Sequence, residues 1–370
     1  MKRIIRNTIC LIITAALMCT VTAGTVQARP KEELTPDERV EQILRNMTLK
    51  QKVAQMLCVY EPKESKKDQK AYQYGGYIMF ANTFEKSNKT KIKKKISGWQ
   101  KVSKVKMLVA VDEEGGSVVR VSKYKAFRKS AYHSPRYVFA HGGYDAIKKD
   151  AKSKAKLLTS LGINTNFAPV ADVAYNSSNF IYQRSFSTNA KSTAKFVKLA
   201  VKEAKKQNCI STLKHFPGYG NNADTHTGVC VDNRKKSTFE NRDLLPFKEG
   251  VKAGVPMIMV SHNIVKCFDK KNTASLSLKT HKYIREELGF DGVIITDGLA
   301  MQGVRDKYGS DAEIAVKAVK AGNDMLCTPY GKTSVKAITK AVKDGDIDEK
   351  RIDDSVRRIL KMKLLYGIIE

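Results

Sequence analysis

The chain has 370 residues, 42% of them hydrophobic, with 67 lysines and arginines against 37 acids and a formal net charge of +30. That length and apolar fraction support one large domain or two modest ones around a sizeable core, and they exclude a disordered chain. The cationic field favours polyanionic partners, but a single tryptophan, lysines scattered over most helical stretches and no recognisable nucleic-acid module argue against nucleic acid.

Residues 1–28 read as a secretory signal peptide. Lys2, Arg3 and Arg6 give a basic start, Ile9 to Val21 is mostly apolar, and Val26-Gln27-Ala28 offers a small-residue cleavage site. The alternatives are a retained anchor, for which the apolar core is short, and a lipoprotein modified at Cys19, for which Met18 is a poor neighbour. No later segment is apolar enough to span a membrane. The expectation is an exported protein, secreted or associated with the cell wall. Its charge then faces anionic cell-wall polymers, or is simply a solvated lysine-rich surface.

Residues 29–36 form a short linker, and residues 37–370 are expected to be one catalytic domain. Pro36-Asp37-Glu38 starts a helix with Val40, Ile43 and Leu44 on one face. Eight short, mainly apolar runs follow: Val53–Tyr60, Gly76–Phe80, Met107–Asp112, Ile163–Val170, Cys209–Phe216, Val255–Val260, Gly292–Asp297 and Asn323–Thr328. Helical patterns fill the intervals, as in Ala190–Lys206 and Ser310–Ala321. Strand then helix, repeated in this way, predicts an α/β fold of the (β/α)8 TIM-type barrel. An open doubly wound sheet is the alternative. Cys58, Cys209, Cys230, Cys267 and Cys327 are odd in number and widely spaced, so no disulfide framework or zinc pattern is expected.

In a barrel, functional groups gather at the C-terminal ends of the strands. Asp112 ends the third run, Lys214 and His215 the fifth, and Asp297 the seventh, while His262 follows the sixth. The densest of these stretches is Lys214-His215-Phe216-Pro217-Gly218-Tyr219-Gly220, continuing through Asn221-Asn222-Ala223 to Asp224-Thr225-His226. It joins a buried strand to a Pro/Gly-rich loop with a second carboxylate–imidazole pair, and it holds two of the chain's six histidines.

This segment resembles the signature of glycoside hydrolase family 3, in its bacterial β-N-acetylhexosaminidase branch, written KHFPGHG followed by D-S/T-H. Other blocks fall in the same order: Asp112-Glu113-Glu114-Gly115-Gly116 ending at Arg120, Asn166 to Val173, Arg184-Ser185-Phe186 and Gly292 to Asp297. The resemblance runs from about residue 36 to the C-terminal helix. It implies that Asp297 is the nucleophile and that His226, oriented by Asp224, is the acid/base. It also implies that Asp112, Arg120, Arg184, Lys214 and His215 hold sugar hydroxyls. The chemistry is sound, because a carboxylate beside an imidazole fixes its tautomer and raises its pKa toward neutrality. Asp297 could instead be a helix cap, and His262 is as readily a core histidine as a supporting one. Glu113 and Glu114 are expected to brace the Gly115-Gly116 turn.

Three departures from the family pattern stand out. Tyr219 replaces a His, Asn221-Asn222-Ala223 is one residue short, and Gly298 replaces an Asp. The sequence thus implies an exported retaining β-N-acetylglucosaminidase acting on peptidoglycan fragments. No metal, cofactor, nucleic acid or, once the signal is removed, membrane is expected, and the chain is expected to be a monomer. Two alternatives are a relative with β-glucosidase specificity and a non-catalytic basic barrel that binds cell wall.

Overall fold

The structure, a computed structural model, describes residues 34–370. The signal-peptide reading of residues 1–28 lies outside the described residues. Eight parallel strands form the frame: β1 (Leu57–Tyr60), β2 (Gly76–Ile78), β3 (Leu108–Val111), β4 (Thr165–Asn166), β5 (Ile210–Phe216), β6 (Met257–Val260), β7 (Val293–Thr296) and β8 (Leu326–Thr328). Each pairs with the next in chain order through β7. A bridge between Ile295 and Met325 joins β7 to β8, and β8 pairs with β1 in the register Leu57–Leu326, Cys58–Cys327, Val59–Thr328. The sheet is therefore closed into the (β/α)8 barrel that the sequence predicts, with a helix after every strand.

Both faces of these strands are covered, which is why they read as near-continuous apolar runs. Along β6, Met257 and Met259 pack in one core cluster with Val293 and Ile295 of β7. Ile258, Val260 and Ile294 belong to a second cluster with Phe196, Val197 and Phe247 of the outer helices. Alternation along one strand thus serves the barrel interior and the helical coat in turn.

Two of the eight runs differ most from the sequence expectation. The first run begins too early, since Val53–Gln55 closes the helix Leu49–Gln55. That helix is set by a capping box in which Thr48 and Gln51 satisfy each other's backbone N–H groups. The fourth run shrinks to Thr165–Asn166, because Pro169 removes a ladder donor. The short parallel ribbon Val231–Asp232 with Ile264–Val265 has no apolar run to announce it.

The first and last helices of the described residues are paired. Helix Pro36–Arg45 buries Val40 and Leu44 and is linked to the closing helix Glu349–Leu365, with Lys361 Nζ 2.8 Å from Asp37 and Arg357 paired with Glu41.

Candidate active site

A cavity of about 520 Å³ opens at the C-terminal ends of the strands, within the usual size range for a small-ligand site. Every strand contributes: Tyr60 from β1, Ile78 from β2, Asp112 just past β3, Phe167 just past β4, Lys214 and His215 from β5, Met259 from β6, Asp297 just past β7, and Cys327 from β8.

Lys214 lies at the centre of the charge network. Its Nζ is buried 2.7 Å from Asp112 Oδ1 and 2.6 Å from Glu114 Oε1. Burial works against its charge, but the two carboxylates outweigh burial and raise its pKa. Arg184 grips Glu114 with two hydrogen bonds, Nε to Oε2 at 2.9 Å and Nη2 to Oε1 at 2.8 Å. Against its own burial, Glu114 is held well below the usual carboxylate range by Lys214 and Arg184. Arg120 Nη2 stands 3.7 Å from Asp112 Oδ2, and its buried Nε has no hydrogen-bond partner among the described residues.

His215 is fixed on both sides. Arg184 Nη2 sits 3.2 Å from its Nε2. A guanidinium can only donate, so Nε2 accepts and the proton belongs on Nδ1. Nδ1 then donates to Asp172 Oδ2 at 2.7 Å, and Asp172 also accepts the backbone N–H groups of His215 and Tyr219.

Asp297 follows β7, and its backbone N–H is tied to Val260 O at 3.0 Å. Burial pushes its pKa up. The imidazoles of His215 and His262, the Gly298 N–H at 2.7 Å and Lys214 pull harder, so it lies below its ordinary value. His262 is fully buried, bonded to Ser275 Oγ at 2.7 Å and to Gly298 O at 3.1 Å. Burial lowers its pKa, and its bond to Gly298 O braces the backbone after Asp297. Gly298 must be small, since a side chain there would collide with the Tyr60 hydroxyl. Tyr60 thus occupies the space that a following acid would need.

The second pair stands on the loop after β5. Asp224 Oδ1 accepts from His226 Nδ1 at 2.6 Å and from its backbone N–H at 2.9 Å. That leaves Nε2 open, and His226, with its side chain 60% exposed, borders the cavity. The loop is tied down rather than free. Arg234 donates to Gly218 O at 2.8 Å and to Tyr219 O at 3.3 Å, and is itself held by Asp232 and Asp243 at 2.5 and 2.9 Å. Gly220 has φ +56°, and a Cβ there would strike the Arg234 guanidinium. Further along, Tyr219 Oη meets Thr225 Oγ1 at 2.5 Å, and Thr225 O accepts from Gly303 N at 3.1 Å. Asn221 Oδ1 accepts from Tyr175 N at 3.3 Å, so the shortened part of the loop is anchored too.

All eight sequence-derived candidates are thus gathered at one end of the barrel. Asp112, Arg120, Arg184, Lys214, His215, His226 and Asp297 border the cavity, and Asp224 stands behind His226. One expectation is corrected. Glu113 does brace the turn, accepting the N–H groups of Arg120, Val121 and Ser122, but Glu114 belongs to the charged wall with Lys214 and Arg184. Sequence reasoning missed Asp172, Tyr60 and Arg234. Asp172 lies within the block Asn166 to Val173, but its partner His215 is 43 residues away. Among the described residues, no group of three His, Cys, Asp or Glu could hold a metal ion, and no helix is long and apolar enough to cross a membrane.

Residues 48–362 match the family described as Glycosyl hydrolase family 3 N terminal domain. Beta-hexosaminidase A of Pseudoalteromonas piscicida is 31% identical over 322 residues, covering 79% of this chain, which spans only about half (53%) of that relative's length. A beta-hexosaminidase of Nitrosomonas eutropha is 28% identical over 260 residues, covering 68% of this chain and 72% of its own. Among solved structures, a glycoside hydrolase family 3 beta-N-acetylglucosaminidase from Paenibacillus sp. str. FPU-7 superimposes with a TM-score of 0.82 at 30% identity, over 87% of this chain and 63% of that one.

Proposed function

The chain belongs to glycosyl hydrolase family 3, and from that premise we propose that it is an exported, retaining β-N-acetylglucosaminidase that releases terminal N-acetylglucosamine from peptidoglycan fragments. One observation carries this reading. A lowered-pKa carboxylate at a strand end, Asp297, and a carboxylate-oriented imidazole, His226, border the same cavity.

Asp297 attacks the anomeric carbon as the bond to the leaving oxygen breaks. His226 gives its Nε2 proton to that oxygen, while Asp224 holds Nδ1–H and stabilises the charged ring. The sugar is then an ester of Asp297. Neutral His226 next takes a proton from water, whose oxygen attacks the anomeric carbon and frees the carboxylate. Two inversions give net retention.

Asp112, Arg120, Lys214 and His215, which all border the cavity, are the proposed hydroxyl partners. Arg184 is bonded to Glu114 and His215 and so acts on the sugar mainly by holding them. Anionic cell-wall polymers are the proposed counter-surface for the net charge.

The test compares nitrophenyl N-acetylglucosaminide with nitrophenyl glucoside. The expected result is clear preference for the acetylated sugar. Equal or faster turnover of the plain glucoside would move the protein to the β-glucosidase reading.

A further inference from the structure

The groove between helix Ser65–Tyr72 and helix Lys89–Val102, on the outer wall of the barrel, has no part in the sugar chemistry. It is open, about 780 Å³, and lysine-lined. Lys63, Lys66 and Lys70 stand on one wall, Lys91 and Lys94 on the other, and none of these five makes an ion pair among the described residues. The only acid among its lining residues is Glu64, which is paired with Lys67. Lys66 reaches across, its Cδ lying over Gly98 of the facing helix.

We infer that this groove binds a linear phosphodiester polymer without bases, a polyol phosphate chain. Lys66 and Lys70 on one helix, and Lys91 and Lys94 on the other, stand about one helical turn apart, near 5.4 Å. A ladder of separate ammonium groups suits a chain with evenly spaced charge better than one compact anion. Lysine, a point charge, satisfies phosphate without the planar geometry of arginine.

Other polyanions fit less well. Single-stranded nucleic acid needs exposed aromatic faces for its bases. The groove's tryptophan, Trp99, is 1% exposed, and its Nε1 is spent on Ser65 Oγ at 2.9 Å. A lipid surface needs apolar residues to insert, and every exposed large hydrophobic of the described residues lies outside the groove. The inference does not depend on the glycosidase reading.

The experiment measures binding of the full chain to fluorescein-labelled poly(glycerol phosphate) across a salt series. The groove variant carries Lys66→Gln, Lys70→Gln, Lys91→Gln and Lys94→Gln. A control with the same charge change carries Lys191→Gln, Lys195→Gln, Lys202→Gln and Lys205→Gln on helix Ala190–Lys205. Thermal melting verifies that both fold. The groove variant is expected to bind at least about tenfold more weakly near 0.1 M salt. The slope of log affinity against log salt should fall by about 3, at roughly 0.7 to 0.9 per lysine lost. The control should change less than about threefold. Equal losses in both variants would mean that net charge alone binds the polymer, and the groove would be abandoned. Tighter binding of single-stranded RNA or polyglutamate at the same lysines would overturn the choice of occupant.

Discussion

The barrel buries a lysine at each end, and the two are treated in opposite ways. Lys214 at the mouth lies between Asp112 and Glu114, and its pKa is raised in spite of burial. Lys363 at the opposite end has only the Gln55 amide oxygen, at 2.8 Å, and burial pushes its pKa down to about 7. Burial is nearly complete for both. Protonation is therefore decided by neighbours, not by depth. The mouth spends carboxylates to keep a cation in place, while the floor lets its lysine shed the proton. Charge at the mouth is fixed before substrate arrives, as electrostatic preorganisation requires.

If the mouth is organised around chemistry, its loss should be felt in rate before stability. Asp297→Ala should lower turnover by on the order of 10⁴ or more, with a melting temperature equal to or above the parent's. Mass spectrometry after a slow fluorinated substrate should find the sugar on the Asp297 peptide. A label elsewhere would sink the nucleophile assignment. His226→Ala should cost about 10²–10⁴ with poor leaving groups and much less with good ones. A uniform loss across leaving groups would remove it from proton transfer.

The lysines themselves test the contrast. Lys214→Met leaves Asp112 and Glu114 facing each other, so a destabilisation of about 3–5 kcal/mol is expected from denaturant titration. A neutral outcome would mean that the carboxylates need no cation. Lys363 should give the smallest effect, visible in the pH dependence of stability. Between its folded value of about 7 and its ordinary value of 10.5, the unfolded chain holds a proton that the folded chain has shed. Stability contributed by this group is full above that window and is lost as pH falls through it. Lys363→Met should flatten the rise in urea midpoint from pH 7 to 9, and an unchanged slope would show that the buried amine does not titrate there.

The strands were legible because parallel strands covered on both faces must be apolar throughout, and Asp297 and Lys214 were legible because they interrupt such runs at the right end. Asp224 and His226 are close in sequence, so their hydrogen bond could be read from spacing. Contacts between distant segments could not. Glu114 looked like a turn residue because Arg184 and Lys214 are 70 and 100 residues away. Tyr60 ends the first apolar run with no motif to mark it, and only its approach to Gly298 reveals that it fills the place of a missing acid. Arg234 gave no signal, since its work is to hold two backbone carbonyls of another loop.

The seam between β8 and β1 has a consequence for synthesis. β1 begins at Leu57, but its partner begins at Leu326, and the helix Pro36–Arg45 likewise waits for Glu349–Leu365. At about 5–20 residues per second, the ribosome takes roughly 13–54 s to bridge that interval. Throughout it, one edge of β1 has unpaired backbone groups and an apolar face with nothing to cover it. The interval is set by translation speed and the position of β8 in the chain, so no local stabilisation of β1 shortens it. A nascent-chain chaperone would have its longest task at the start of this barrel.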